Sequence, residues 1–123
     1  MKIAISSTGN NLESEVDARF GRCNYFLIVE IEDNKLKDFK AIENTAKSQM
    51  GGAGISAGEI VAKQEVDAII TVNLGPRAFS VFEQFEIKAY QGEGKIKDVV
   101  QEFLDGKLKE LINANGPRHA GLK

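Results

Sequence analysis

The chain predicts an α/β domain: a three-layer α/β/α arrangement around a mixed five-stranded sheet in which strand 2 runs antiparallel to the rest. Three observations predict it. The elements read β-β-β-α-β-α-β-α. The second half is a βαβαβ pattern, whose crossovers are right-handed and whose strands are parallel. The first half adds a hairpin. At 123 residues the chain is long enough to bury one core.

Each element has its own warrant. Lys2 to Ser6 alternates, with Ile3 and Ile5 on one face, and reads as the first strand. The polar stretch from Ser7 to Asn24 is long for a loop, and a loop of that length is usually functional or mobile. Tyr25 to Ile31 is dense in aromatic and β-branched residues, as in a strand. Asp33-Asn34-Lys35 is turn chemistry, because Asp and Asn tolerate the left-handed conformation. Leu36 to Glu43 returns as the third strand of an antiparallel hairpin. Asn44 to Gly52 has no periodicity and is expected to be mobile.

From Ala53 the pattern becomes helical, with Ala53, Ala57, Ile60, Val61 and Gln64 on one stripe. Ala68 to Val72 is apolar without alternation, as expected of a strand covered on both faces. Pro76 suits the first turn of a second helix, with Phe79, Phe82 and Phe85 as its buried side. Ile87 to Tyr90 is the last strand. Ile96, Val99, Val100, Phe103 and Leu104 have the spacing of an amphipathic helix, and Gly106 is placed to end it. The domain is expected over residues 1–112, with 113–123 as a flexible tail.

Composition sets bounds on function. Hydrophobic residues make up 42% and charged residues 28%, ordinary for a globular domain. The net charge of −2 argues against sequence-independent nucleic-acid binding, which needs a basic face. No apolar run approaches the roughly 18 residues of a membrane span. The first five residues do not form a signal h-region. The single cysteine cannot close an internal disulfide, so a cytoplasmic setting is expected. It also excludes four-cysteine zinc or iron–sulfur motifs within one chain.

Four loops carry glycine or small polar residues after a strand: Ser6-Ser7-Thr8-Gly9, Gly51-Gly52-Ala53-Gly54, Asn73-Leu74-Gly75-Pro76 and Gln91-Gly92-Glu93-Gly94. In open α/β sheets ligands bind at the carboxyl ends of the strands, and helix N-termini attract anions. The loops are either a nest of N–H donors for an anion or tight turns and caps. Gly51 to Gly54 is expected near the opposite end of strand four unless its connection crosses over. It is neither a dinucleotide fingerprint nor a P-loop, since no Gly-Lys-Ser/Thr follows.

Asp17-Ala18-Arg19-Phe20-Gly21-Arg22-Cys23 sets two arginines around a Phe-Gly turn. Arg19 and Arg22 suit a grip on a carboxylate, and Cys23 suits a soft metal once deprotonated. The alternative pairs Arg19 with Asp17, uses Phe20 as a core plug and buries Cys23 as a small hydrophobe. His119, the single histidine, is either a metal ligand from the tail or simply solvated. Met50 offers a thioether under the same two readings. Catalysis lacks support: there is no Ser-His-Asp order or Gly-x-Ser-x-Gly elbow. The first strand has no carboxylates for a two-metal nuclease.

Three segments together resemble the dinitrogenase iron-molybdenum cofactor biosynthesis family. They are Asp17 to Phe26, Gly52-Ala53-Gly54-Ile55 and Asn73-Leu74-Gly75-Pro76-Arg77-Ala78-Phe79. The resemblance covers about residues 1 to 112 in order. It implies a ribonuclease H-like α/β fold and the binding or carrying of an iron–sulfur or iron–molybdenum cofactor precursor rather than catalysis. Carried over by position, it implies a cofactor site at Arg19, Phe20, Gly21, Arg22, Gly52, Ala53, Gly54, Asn73, Gly75 and Pro76. Cys23, with Met50 or His119, would supply the metal contacts. The histidine that members often carry before the Gly-Ala-Gly turn is absent from Ser48-Gln49-Met50-Gly51.

The first functional expectation is therefore a cytoplasmic, non-catalytic metallocluster carrier that works with a cluster-assembly protein, without nucleic acid or membrane. The second is a regulatory or interaction module that binds a small anion or a protein partner and no metal. A nuclease follows from the fold alone, by analogy.

Overall fold

The strand that starts the chain becomes the middle of the sheet. In the computed structural model, which describes residues 1–114, β1 (Lys2–Ser7) pairs antiparallel with β2 (Tyr25–Glu32) and parallel with β4 (Ala68–Thr71). β2 pairs antiparallel with β3 (Lys35–Glu43), and β4 pairs parallel with β5 (Lys88–Gln91). The hairpin turn is as read: Asp33 and Asn34 have φ of 54° and 60°, the left-handed pair that a two-residue hairpin needs. Three helices complete the fold: α1 (Ala53–Ala62), α2 (Pro76–Gln84) and α3 (Ile96–Leu104).

The sheet has six strands, not five, in the order β3-β2-β1-β4-β5-β6. The sixth, β6 (Lys109–Leu111), pairs antiparallel with β5, so strand 2 is not alone in running against the others. Three residues, two of them charged, carry no period of their own; pairing with β5 makes them a strand. The end of α3 is as read, with Gly106 at φ 72° just beyond it.

Alternation along the strands divides the core between the two faces of the sheet. Ala4, Phe26, Ile28, Ile69 and Ala89 pack with Ala57 and Val61 of α1 and Ala78 and Phe82 of α2. Ile3, Ile5, Leu27, Val29 and Ile70 pack with Ile96, Val99 and Val100 of α3. Gly58 lets α1 and α2 approach closely: a Cβ there would lie 3.2 Å from Val81 Cγ1. Of the three phenylalanines expected to bury α2, Phe82 is in the core, Phe79 packs at its margin, and Phe85 is 54% exposed. Phe85 is the cap residue beyond Gln84, so the helical stripe has ended before it.

β3 runs parallel to β1 because two antiparallel steps separate them, and Tyr25 pairs with both Ser7 and Glu43. The carboxyl ends of β1, β3, β4 and β5 therefore share one rim. α1 begins at that rim and runs back across the face toward the start of β4. Gly51 to Gly54 accordingly lies at the carboxyl rim and not at the opposite end of strand four. The expectation followed the loop and overlooked the length of the helix, which at 1.5 Å per residue crosses the whole sheet.

Candidate anion site at the carboxyl rim

The long segment after β1 is tied to the rim at several points. Isolated bridges join Ser7 to Val16, Glu15 to Lys95 and Arg19 to Asn73. Ser6, a polar residue next to the end of β1, donates its hydroxyl to Thr71 Oγ1 at 2.8 Å, and Asp17 O lies 2.9 Å from the same oxygen. That link joins β1, the segment and β4 under the site. Glu13 sits between Lys95 (3.4 Å) and Lys97 (3.0 Å), and the Lys97 bond holds its carboxyl below the usual range.

Residues Phe20–Arg22 form a 3₁₀ turn held by Phe20. Its ring centroid lies 5.1 Å from that of Phe26 and 5.3 Å from that of Phe82, the latter edge to face. Phe20 is thus the core plug, not a surface contact. Gly21 faces the first turn of α1: a Cβ there would meet Gly54 Cα and N at 3.1 Å. Gly54 in turn faces the first turn of α2, where a Cβ would lie 3.8 Å from Ala78 Cβ and 4.0 Å from Ala78 N. Two helix N-termini and the arginine turn therefore meet at one place.

The three helix starts differ in a way that bears on chemistry. At α3, the N–H groups of Ile96 and Lys97 donate to Ser14 O (2.9 Å) and Leu12 O (3.1 Å), and Asp98 adds a carboxylate to the first turn. α1 and α2 have no side-chain cap and no acidic residue in the first turn. Among the described residues, no loop carbonyl takes the N–H groups of Ala53, Gly54, Arg77 or Ala78. These four donors at the positive ends of two helices thus have no backbone or side-chain acceptor among the described residues. Pro76 holds the first position of α2, where a missing N–H costs nothing.

The sequence-nominated residues separate in the structure. Arg19, Gly21, Gly52, Ala53, Gly54, Asn73, Gly75 and Pro76 come together on this rim. Arg19 bonds Asp17 through its backbone N–H at 2.9 Å, while its guanidinium stands 3.9 Å from the same carboxylate oxygen with its side chain 73% exposed. At that length and with the guanidinium in solvent, the pair is weak and leaves the guanidinium available. Arg22 is committed otherwise: its Nη1 donates to Lys47 O (2.8 Å) and Gln49 O (2.6 Å).

The nominated metal contacts do not converge. Cys23 is fully buried and donates its thiol to Phe20 O at 3.3 Å. Burial, aided by the Asp17 charge, pushes that thiol up to about 12. It is a small core residue carrying its proton at neutral pH. Met50 is wholly exposed, and His119 lies outside the described residues. Among the described residues no group of three His, Cys, Asp or Glu side chains could hold a metal ion.

Asn44 was missed by sequence reading. It is fully buried, donating to Gly21 O (3.2 Å) and Cys23 O (2.9 Å) and accepting from Ala46 N (3.1 Å). Its position at the end of a charged strand gave no periodic signal; a short polar amide at a strand-to-loop junction was the only hint. The first part of Asn44–Gly52 is therefore pinned, against the expectation of a mobile stretch. Among the described residues no helix is long and apolar enough to cross a membrane.

Known proteins share this architecture. A Methanocaldococcus jannaschii protein without an assigned role is 41% identical over 112 residues, spanning 90% of this chain and 92% of its own. The apo form of the orange protein from Desulfovibrio gigas superposes with a TM-score of 0.84 at 32% identity, covering 93% of this chain and 95% of that one. A Thermotoga protein named as a candidate NifB protein gives a TM-score of 0.79 at 29% identity, covering 93% and 96%. The family model described as dinitrogenase iron-molybdenum cofactor matches residues 1–106. By that match and by its 41% identical relative, the chain belongs to the dinitrogenase iron-molybdenum cofactor family.

Proposed function

We propose that the protein is a non-catalytic carrier of a small anionic metal–sulfur group, an iron–sulfur or iron–molybdenum cofactor precursor, which it receives from and passes to a cluster-assembly protein in the cytoplasm. The observation that carries this reading is the pair of uncapped N-termini, α1 and α2, on the rim where Arg19, its side chain exposed, bridges to Asn73, while the third helix start is closed by Ser14 and Leu12 carbonyls. Such a rim favours a negative guest through N–H bonds and helix dipoles. The family description and a neighbour described in its apo form support a metal-bearing guest. A three-layer, ribonuclease H-like description of the fold belongs to the same proposal, supported by helices packed on both faces of the sheet.

The donor set fits a guest held as an intact anion. The rim supplies N–H groups and a guanidinium, while Cys23 keeps its proton and is shut in the core. The guest would thus keep its own sulfur ligands and be held electrostatically by Ala53, Gly54, Arg77 and Ala78 amides and by Arg19.

One observation favours a second reading, a site for a simple oxyanion: nothing described on the rim selects sulfur over oxygen. An anaerobic titration with tetrathiomolybdate, repeated in excess sulfate, separates the two. The carrier reading expects saturable binding that survives sulfate. Binding abolished by sulfate supports the oxyanion site, and no binding of either anion rejects both.

A further inference from the structure

The segment between β3 and α1 is tied to the arginine turn from both directions. From the segment, the Asn44 amide donates to Gly21 O and Cys23 O. From the turn, both N–H bonds of Arg22 Nη1 go back to Lys47 O and Gln49 O. Lys47 Nζ adds a bond to Asn24 Oδ1 at 3.0 Å. Gln49 Nε2 then bonds Gly51 O at 2.6 Å, and Gly52, at φ 72°, accepts the first helical bond of α1 from Ser56 N at 3.0 Å. A continuous run of bonds thus leads from Arg22 to the first turn of α1.

We infer that Arg22 and Asn44 form a reciprocal clamp, in which Arg22 is a positioning residue that fixes the anion-binding start of α1 and is not itself a contact to the anion. The clamp exists without ligand; its link to binding rests on the carrier reading above. The acceptors are neutral carbonyls, so Arg22 serves by reach and by its two N–H bonds on one nitrogen. Among the described residues no carboxylate forms an ion pair with it. The first turn of α1 has no side-chain cap of its own, so the preceding residues must be held by another element. Without that hold the first turn frays, and its donors lose the fixed geometry that binding needs.

The test compares Arg22→Met with Arg22→Lys, which keeps a donor of nearly the same reach. Three quantities are read: tryptic cleavage after Lys47 in the ligand-free protein, hydrogen exchange at the Ser56 amide, and tetrathiomolybdate affinity. In Arg22→Met, cleavage is expected about fivefold faster or more, Ser56 exchange faster, and affinity about tenfold weaker, with thermal unfolding still cooperative. Arg22→Lys recovers most of each. Affinity lost with cleavage and exchange unchanged would make Arg22 a direct ligand and overturn the clamp. Faster cleavage with Ser56 exchange unchanged would mean that the segment is tied but positions nothing. Should the unaltered protein fail to bind tetrathiomolybdate, the carrier reading falls alone, because cleavage and Ser56 exchange still decide the clamp.

Discussion

Cys23 is the residue whose chemistry turns most on its surroundings. In water a thiol this close to two arginines would be a metal ligand in waiting. Here the core keeps it protonated, with its pKa pushed up to about 12. The sign of the linkage follows. The unfolded chain releases this proton near 9 and the folded chain near 12, so stability present below pH 9 is lost as pH rises between them. Cys23→Ala should flatten that decline in denaturant titrations at pH 8 to 11, and should leave tetrathiomolybdate affinity unchanged at pH 7. Iodoacetamide should react with the native protein far more slowly than with the unfolded one. Two neighbouring glycines make a sharper contrast. Gly21→Ala drives a methyl into the Gly54 backbone at 3.1 Å and should cost about 1–3 kcal/mol. Gly54→Ala meets only ordinary contacts at 3.8 Å; inside a helix it should be neutral or gain about 0.5–1 kcal/mol. Chemical denaturation of both variants decides the point.

Among the elements, α1 and α2 close without glycine. Glu65 and Glu86 take the left-handed conformation at φ 58° and 59°, and Ile87 N bonds back to Phe82 O at 2.8 Å in a Schellman-type turn. Glu86→Gly should raise stability by about 1 kcal/mol by relieving that backbone, read as a shift in thermal midpoint. The same turns explain what the sequence did not reveal. Periods announced β1 and α3, because their side chains must alternate or recur to reach the core, and a density of aromatic and β-branched residues announced β2. β6 and the Asn44 segment had no such requirement. Their form comes from pairing with β5 and from bonds to the arginine turn, which are long-range facts with no local period. That the site's residues, apart from Gly51 to Gly54, would meet on one rim was legible, since glycine before a helix and Arg-Phe-Gly-Arg in a loop are unusual locally. The division of labour between Arg19, exposed, and Arg22, bonded inward, was not, because it depends on where Lys47 and Gln49 present their carbonyls.

At the scale of the molecule, topology makes the site. Four strand ends share a rim because β3 runs parallel to β1, and two of the helices that leave that rim start there uncapped. In a chain of net charge −2, two uncapped helix starts and the Arg19 side chain thereby bring positive charge to one edge. Arg19→Ala should weaken tetrathiomolybdate binding about tenfold or more, since a charge-assisted contact is worth about 1.5–3 kcal/mol. The weakening should shrink as salt rises, which titrations at two ionic strengths would reveal. The most direct test of the rim is an amide NMR titration of the isotopically labelled protein with tetrathiomolybdate. The largest shifts are expected at Arg19, Ala53, Gly54, Arg77 and Ala78, with Ile96 and Lys97 at the closed start of α3 unmoved. Shifts centred on α3, or none on the rim at saturation, would contradict the account.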